Sequence, residues 1–121
     1  MRHVLIVDDE PRMRTALKLY LEWAGLRVST AGSAAEALNA AFASLPDVVV
    51  CDWNLGAGDS GLMLAHTLRA RSPELGILMI TGMSEKDLVE PLATLGLDAR
   101  HGLAKPFTGS TLLARLHACF G

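Results

Sequence analysis

The stretches Val4-Leu5-Ile6-Val7-Asp8-Asp9 and Val48-Val49-Val50-Cys51-Asp52 carry the strongest structural signal in the chain, because each is a run of four apolar residues that ends in aspartate. An apolar run of this length, without alternating polar residues, is typical of a strand buried on both faces of a parallel sheet. A third run, Ile77-Leu78-Met79-Ile80, ends in Thr81. The three runs predict the central strands of one sheet, and shorter strands are expected at residues 28–30 and 103–104.

Helical patterns separate these strands. Pro11 suits the first turn of a helix that ends before Gly25, and Ser33-Ala34-Ala35-Glu36 is a capping-box pattern for a second helix. A fourth helix is expected after Ser84, where Pro91 should kink or shorten it. The residues expected to face the core recur three and four positions apart: Met13, Ala16, Leu17, Tyr20, Leu21 and Ala24; Ala37, Leu38, Ala41, Phe42 and Leu45; Leu64, Ala65 and Leu68; Leu88, Val89 and Leu92; Leu112, Leu113, Leu116 and Phe120.

Five strand–helix alternations with short connections predict an α/β fold, a parallel sheet with helices on both faces. The length of 121 residues suits one domain. A formal net charge of −2 and the lack of a basic stripe argue against direct nucleic-acid binding, and no apolar run is long enough for membrane insertion. We expect a cytoplasmic protein with Cys51 and Cys119 as reduced, packed thiols. Trp23 is expected at the edge of the core, and Trp53 is equally compatible with packing and with a place over a crevice.

Polar side chains follow four of the five predicted strands. Asp8 and Asp9 follow the first strand, Asp52 the third, Thr81 the fourth and Lys105 the fifth. Because ligands bind beyond the carboxyl ends of the strands in an open parallel sheet, these residues should share one edge. Three carboxylates in one crevice would repel each other, and a hard divalent cation such as Mg²⁺ removes that penalty. The carboxylates and the cation, with the hydroxyl of Thr81 and the ammonium group of Lys105, are the parts of a phosphoryl-transfer site. A carboxylate can be the nucleophile of such a site.

The same motifs carry a family resemblance. Asp8-Asp9-Glu10, Asp52, Thr81-Gly82 and Lys105-Pro106-Phe107, in this order at strand ends, resemble response regulator receiver domains of two-component, histidine–aspartate phosphorelay systems. The resemblance covers residues 1–121 as one receiver domain. It implies a flavodoxin-like, doubly wound (βα)5 fold with five parallel strands in the order 2-1-3-4-5.

The resemblance also implies a role for each of these residues. Asp52 would be the phosphoacceptor, and Thr81 and Lys105 would contact the phosphoryl group. The Lys105–Pro106 peptide bond would be cis. The phosphoryl donor would be a histidine kinase or a histidine phosphotransfer protein, and the output an effector domain or a downstream protein. The protein would then be a regulatory phosphoacceptor rather than an enzyme. The implied Mg²⁺ ligands are Asp9, Asp52 and the backbone carbonyl of Asn54, with Asp8 acting through water.

Departures from the family pattern keep two alternatives open. Gly102 stands three residues before the lysine, where the family usually carries Tyr or Phe. This argues slightly for a pseudo-receiver, a protein-interaction module that is not phosphorylated. The intact set of Asp8, Asp9, Asp52, Thr81 and Lys105 argues against it. The second alternative is a Mg²⁺-dependent phosphohydrolase of the haloacid-dehalogenase type. Such enzymes need a second acid two residues after the nucleophile, where this chain has Asn54, and they leave the Asp8-Asp9 pair unexplained.

Overall fold

The computed structural model describes residues 2–56 and 58–120, in which strands and helices alternate along the chain. The strands are β1 (His3–Val7), β2 (Arg27–Ala31), β3 (Val48–Asp52), β4 (Gly76–Thr81) and β5 (Gly102–Ala104). The helices are α1 (Pro11–Trp23), α2 (Ala34–Ala43), α3 (Gly61–Arg71), α4 (Val89–Ala93) and α5 (Gly109–Cys119). Short 3₁₀ helices cover Glu85–Leu88 and Ala99–His101.

The strands form one parallel sheet in the order β2-β1-β3-β4-β5. Val7 pairs with Cys51 across β1 and β3, and Thr81 pairs with Ala104 across β4 and β5. This register brings the carboxyl ends of β1, β3, β4 and β5 to the same edge of the sheet. The α/β class and the parallel sheet predicted from the sequence pattern are confirmed, and so is the strand order implied by the family resemblance.

Apolar layers cover both faces of the sheet. Leu5, Val49 and Ile77 point to the layer formed with α2, α3 and α4. The residues next to them in each strand point to the layer formed with α1 and α5, because side chains alternate along a strand. The helices contribute fully buried side chains to these layers: Ala37, Ala41, Leu64, Ala65, Leu68 and Leu92 to the first, and Leu21, Leu112 and Leu116 to the second. The central strands β1, β3 and β4 therefore lie inside the core, as their unbroken apolar runs predict.

The helix ends follow the sequence signals, with one change of partner. Pro11 is the first residue of α1, and Gly25 after the helix has a φ of +94°, in the left-handed region that glycine tolerates. Ser33 caps α2 by accepting a hydrogen bond from the Glu36 N–H. The Glu36 carboxylate accepts the N–H of Gly32 rather than that of Ser33, so the reciprocal half of the predicted capping box is displaced by one residue.

Several residues predicted to face the core are exposed instead, and for these the prediction is wrong. Most of them directly adjoin a fully buried neighbour or lie two residues from it, which places them roughly 100° or 200° around the helix from that neighbour. The Phe42 ring stacks under the guanidinium of Arg71, 4.7 Å away, rather than entering the core. Leu45 lies beyond the end of α2. The exposed residues are Ala16, Phe42, Leu45 and Val89. Trp23, expected at the edge of the core, is exposed as well.

The fourth helix is short, as Pro91 predicts. A 3₁₀ helix begins after Ser84, whose side chain accepts a backbone N–H while Asp87 accepts the N–H of Ser84. Pro91 is the third residue of α4, where its missing N–H costs nothing because the first turn of a helix has no partners for its N–H groups. Within the described residues, no helix is long and apolar enough to cross a membrane.

Candidate functional site

Lys105 joins two aspartates from different strands at the carboxyl edge of the sheet. Its Nζ lies 2.7 Å from Oδ2 of Asp52 and 3.9 Å from Oδ2 of Asp8. Both aspartates are buried, with only 8 % of Asp52 and 5 % of Asp8 exposed. A buried carboxylate needs a partner of opposite charge, and the ammonium group of Lys105 serves both. The ends of β1, β3 and β5 thus meet as the sequence predicts.

Backbone N–H groups hold the remaining oxygen of each of these aspartates. Oδ1 of Asp8 accepts the N–H of Glu10 at 2.9 Å, and Oδ1 of Asp52 accepts the N–H of Asn54 at 3.0 Å. Each bond spans two residues, the geometry that aspartate commonly makes at a turn after a strand. The bonds fix both carboxylate groups in place before any ligand is present.

Asp9 and Asp8 occupy different surroundings although they are adjacent in sequence. Asp9 is exposed, and its Oδ2 lies 2.8 Å from the position that a Cβ on Gly56 would take. Asp9 and Asp52 both line an open cavity of about 540 Å³, whereas Asp8 lies behind it. The cavity lining comprises Asp9, Asp52, Trp53, Asn54, Gly56, Thr81, Gly82, Met83 and Lys105.

The loop after β3 presents the backbone of Asn54 to this cavity. Asn54 forms an isolated antiparallel bridge with Ser60, and the hydrogen bonds of that bridge are made by its neighbours Trp53 and Leu55. The backbone groups of Asn54 therefore lie outside the bridge, and its N–H bonds to Asp52. The carbonyl of the same residue is the predicted backbone ligand.

Thr81 stands at the end of β4 with a hydroxyl group that can still donate. Its side chain is 1 % exposed, and Oγ1 accepts the N–H of Met83 at 3.0 Å. A hydroxyl can accept and donate at once, so its proton is available to an acceptor in the cavity. The Thr81 carbonyl accepts the backbone N–H of Lys105 at 2.7 Å, which ties the ends of β4 and β5 together.

The charges of the site shift the pKa values of its groups. Burial raises the pKa of Asp8; the hydrogen bond from Glu10 N–H opposes this, and the charge of Asp52 adds to it. Partial burial lowers the pKa of Lys105, but its hydrogen bond to Asp52 and the nearby carboxylate charges outweigh burial and leave this pKa raised. Lys105 therefore keeps its positive charge. The site holds more carboxylates than cations, because Lys105 faces Asp8 and Asp52 while Asp9 lines the same cavity.

The donor set fits Mg²⁺ by chemistry. Within residues 2–56 and 58–120, no three His, Cys, Asp or Glu side chains form a cluster that could hold a metal ion. Mg²⁺ does not need such a cluster, because it usually takes one or two carboxylates and keeps several waters. Asp9, Asp52 and the Asn54 carbonyl supply two carboxylates and one further oxygen at a single open cavity.

Two residues that the sequence analysis missed support the site from behind. The Arg14 guanidinium donates to the backbone carbonyl of Asp8 at 2.8 Å. Gly61 lies against β3 so closely that a Cβ on it would stand 2.1 Å from the carbonyl oxygen of Asp52. The available signal for Gly61 is a glycine directly after the N-cap residue Ser60, where a better helix former would otherwise be expected. For Arg14 the sequence offers no signal.

The structure also agrees with the remaining expectations near the site. The Lys105–Pro106 bond is cis, as expected. Cys51 is buried and free, as the packed-thiol interpretation requires, and so is Cys119. Trp53 does both things considered for it, since it packs against the core layer and lines the cavity.

The chain is similar to known proteins in sequence and in fold. The sequence model of the response regulator receiver domain matches residues 4–117. The chain belongs to the response regulator receiver domain family. This receiver domain is 38% identical over 116 residues to the probable transcriptional regulatory protein TcrX of Mycobacterium tuberculosis, an alignment that covers 95% of the chain and 48% of TcrX. It is 33% identical over 117 residues to the phosphate regulon transcriptional regulatory protein PhoB of Pseudomonas aeruginosa, covering 95% and 50%. The chain thus spans about half the length of these relatives.

Solved structures agree with the family assignment. The chemotaxis protein CheY4 of Vibrio cholerae is 32% identical, with a TM-score of 0.85 and 98% of both chains covered. NtrX of Brucella abortus is 27% identical with a TM-score of 0.83, and the match covers 99% of this chain and 27% of NtrX. The protein is therefore a receiver domain of the kind found in two-component response regulators, with a flavodoxin-like fold.

Proposed function

We propose that this receiver domain accepts a phosphoryl group on Asp52, in a Mg²⁺-dependent exchange with a phosphohistidine on a histidine kinase or a histidine phosphotransfer protein. One observation carries the proposal: Asp52 is a buried carboxylate, bonded to Lys105 at 2.7 Å, on a cavity that it shares with Asp9 and Thr81. A carboxylate nucleophile, a fixed cation, a hydroxyl donor and a further acid are the parts that phosphoryl transfer uses.

The transfer follows from the position of these groups. A carboxylate oxygen of Asp52 forms a bond to phosphorus while the P–N bond of the phosphohistidine breaks. The imidazole nitrogen keeps the electron pair of that bond, and the ring, protonated at its other nitrogen, leaves neutral. Lys105 offsets the charge of one phosphoryl oxygen, and the hydroxyl of Thr81 donates a hydrogen bond to another.

Asp9, Asp52 and the carbonyl of Asn54 would hold Mg²⁺, with Asp8 acting through water. When bound, the ion neutralises charge on the carboxylates and on the phosphoryl oxygens. Without a cation, Asp9 would repel an incoming phosphoryl group, since Lys105 is already shared between the two buried aspartates. We therefore expect little uptake in the absence of Mg²⁺.

The chain is suited to hold the phosphoryl group as a signal rather than to turn over a substrate. Asn54 supplies no acid or base two residues after the nucleophile, so the phosphohydrolase alternative lacks a general acid.

Phosphorylation adds roughly −1.5 to −2 charges at one point, and the loops after β4 and β5 respond to it. That response biases two conformations and thereby the contact with an effector domain or a downstream protein. We place the exchange in the cytoplasm, a reducing compartment that suits two free cysteines.

Stoichiometric labelling separates the proposal from its alternatives. With Mg²⁺ and acetyl phosphate as the donor, intact-mass measurement should show one phosphoryl group on the wild type and none on Asp52→Asn. Continuous release of phosphate from p-nitrophenyl phosphate, without labelled protein, would favour the phosphohydrolase. No uptake, together with no Mg²⁺-dependent binding of beryllofluoride, would favour the pseudo-receiver.

A Mg²⁺ titration tests the ligand assignment. Trp53 lines the cavity, and a Trp23→Ser background makes it the sole tryptophan of the chain. In this background, Asp9→Asn should weaken Mg²⁺ binding about tenfold or more, because a carboxylate ligand is lost. Asp59→Asn is the matched control: Asp59 is an exposed aspartate near the same loop and is not among the cavity residues. Equal Mg²⁺ affinities of the two variants would remove Asp9 from the ligand set.

A further inference from the structure

We propose that Glu85 is a positioning residue of the phosphorylation site: with Arg115, it holds the edge strand β5 in place and so sets Lys105 against Asp52. This inference rests on the function proposed above. It concerns how Lys105 reaches its place, and it begins with the weakness of the strand that precedes it.

Strand β5 has little to hold it by itself. It is three residues long, lies at the edge of the sheet and begins with Gly102, which has no side chain to pack. A strand this short, bonded on one side only, is marginal, and its outward N–H and carbonyl groups face away from the sheet. Lys105 follows this strand directly, so any fraying of β5 moves the lysine.

Two charged side chains bond the outward backbone groups of β5. The Glu85 carboxylate accepts the N–H of Ala104 through Oε2 at 3.2 Å. The Arg115 guanidinium donates to the carbonyl of Gly102. The two side chains also pair with each other, with Arg115 Nη2 and Glu85 Oε1 3.3 Å apart. Together they act on β5 as a further strand would, since they satisfy its free donor and acceptor.

The same short helix that carries Glu85 also packs against the first residue of β5. Leu88 Cδ1 lies 2.9 Å from the position that a Cβ on Gly102 would take. Leu88 therefore fills the space that a side chain on Gly102 would need, and Glu85 bonds the strand two residues further along. The Glu85–Leu88 helix fixes β5 by packing and by hydrogen bonding at once, so β5 keeps its place without a side chain on Gly102.

Amide hydrogen exchange and phosphoryl uptake measured on the same variants test this role. The exchanging group is the Lys105 N–H, which donates to the Thr81 carbonyl at 2.7 Å. Glu85→Ala should speed its exchange about tenfold and slow phosphoryl uptake from acetyl phosphate about five- to tenfold, the scale of losing one or two such bonds. Exchange of the Val50 N–H in the central strand reports global unfolding and should rise by a similar factor, because Glu85 also loses its bonds when the whole chain unfolds. The matched control is Ser33→Ala, which removes the N-cap of α2 at a cost of about 1 kcal/mol and should raise exchange at Val50 but not at Lys105.

Two further variants complete the test. Glu85→Gln keeps an oxygen that can accept the Ala104 N–H but loses the charge that faces Arg115, so it should restore most of the protection of Lys105 and most of the uptake rate. Glu90→Ala removes an exposed glutamate of the next helix and should match the wild type in both measurements.

Three results would overturn the proposal. Unchanged exchange at Lys105 in Glu85→Ala would show that Glu85 does not hold β5. A rise at Lys105 in Ser33→Ala as large as that in Glu85→Ala would show that Glu85 supports only global stability. Faster exchange at Lys105 with unchanged uptake would show that the site does not depend on it. If the wild type takes up no phosphoryl group, the proposed function is wrong, and the exchange measurements still decide whether Glu85 places Lys105.

Discussion

Replacing Gly61 by alanine should displace the candidate phosphoacceptor. Gly61 opens α3, and its N–H donates to the Trp53 carbonyl at 2.9 Å, which closes the loop after β3. A Cβ at this position would stand 2.1 Å from the Asp52 carbonyl oxygen and 3.1 Å from Cys51 Sγ. The first of these neighbours is backbone of the central sheet, so it cannot rotate away as a side chain would.

The magnitude follows from two opposed effects. Overpacking a well-packed region costs about 1–3 kcal/mol, and a backbone neighbour in β3 puts this clash at the upper end. Alanine regains up to about 1 kcal/mol of helix propensity at a helix position. The net loss in the free energy of unfolding is then about 2 kcal/mol. With an unfolding entropy of roughly 2.1 cal/mol/K per residue over 121 residues, Tm should fall by about 8 °C.

Urea unfolding followed by tryptophan fluorescence and circular dichroism measures this loss. Gly82→Ala is the matched control, because Gly82 also borders the site and a Cβ there meets nothing within 4 Å. The control should stay within about 0.5 kcal/mol of the wild type or gain slightly. Phosphoryl uptake should also fall in Gly61→Ala, since Asp52 moves. The reasoning is refuted if the two alanine variants are equally stable.

Three further predictions concern other residues. Burial lowers the pKa of His3 below the ordinary 6.5, and the charge of Arg27 lowers it further. Near and below pH 6.5 the unfolded chain therefore binds more protons than the folded one, so the free energy of unfolding falls as the pH drops. His3→Gln should therefore flatten the pH dependence of urea unfolding between about pH 7 and pH 5, and parallel curves would contradict this. Lys105→Ala should raise the Mg²⁺ affinity a few-fold in fluorescence titrations, because the cation that competes for Asp52 is removed; weaker binding would speak against the shared site. Trp23 is 79% exposed, so Trp23→Ser should change the free energy of unfolding by less than about 0.5 kcal/mol, and a larger loss would mean that the ring is packed.

The sheet was predictable because its physical signal is local. Val48 to Cys51 are all at most 2% exposed, and a strand buried on both faces leaves an unbroken apolar run in the sequence. The strand ends then fix which side chains share an edge. For the same reason the meeting of Asp52 and Lys105, 53 residues apart, could be anticipated without coordinates.

The helix faces were less predictable because a periodic pattern does not say how wide the buried stripe is. Val89 directly follows the buried Leu88, yet it is 47% exposed. A 3₁₀ helix turns roughly 120° per residue rather than 100°, so the short helix before Val89 shifts the phase of the pattern. Phe42 similarly follows the buried Ala41 and turns to the surface, where Arg71 covers it.

Some parts of the site lay beyond the reach of the sequence. Asp8 and Asp9 are adjacent and chemically identical, and only the packing of the chain buries one and exposes the other. The bond between Glu85 and Ala104 joins residues 19 apart through the geometry of a strand edge, for which no spacing rule exists. The contact of Gly61 with the Asp52 carbonyl depends equally on how the loop returns to β3.

The most direct test of the account locates the phosphoryl group itself. After incubation with acetyl phosphate and Mg²⁺, borohydride reduction converts an acyl phosphate of aspartate into homoserine, which peptide mass spectrometry assigns to one position. We expect homoserine at residue 52 alone, and only when Mg²⁺ is present. Homoserine at position 8 or 9, or equal labelling without the metal, would contradict a site in which Asp52 is the nucleophile and Asp9 helps to hold the ion.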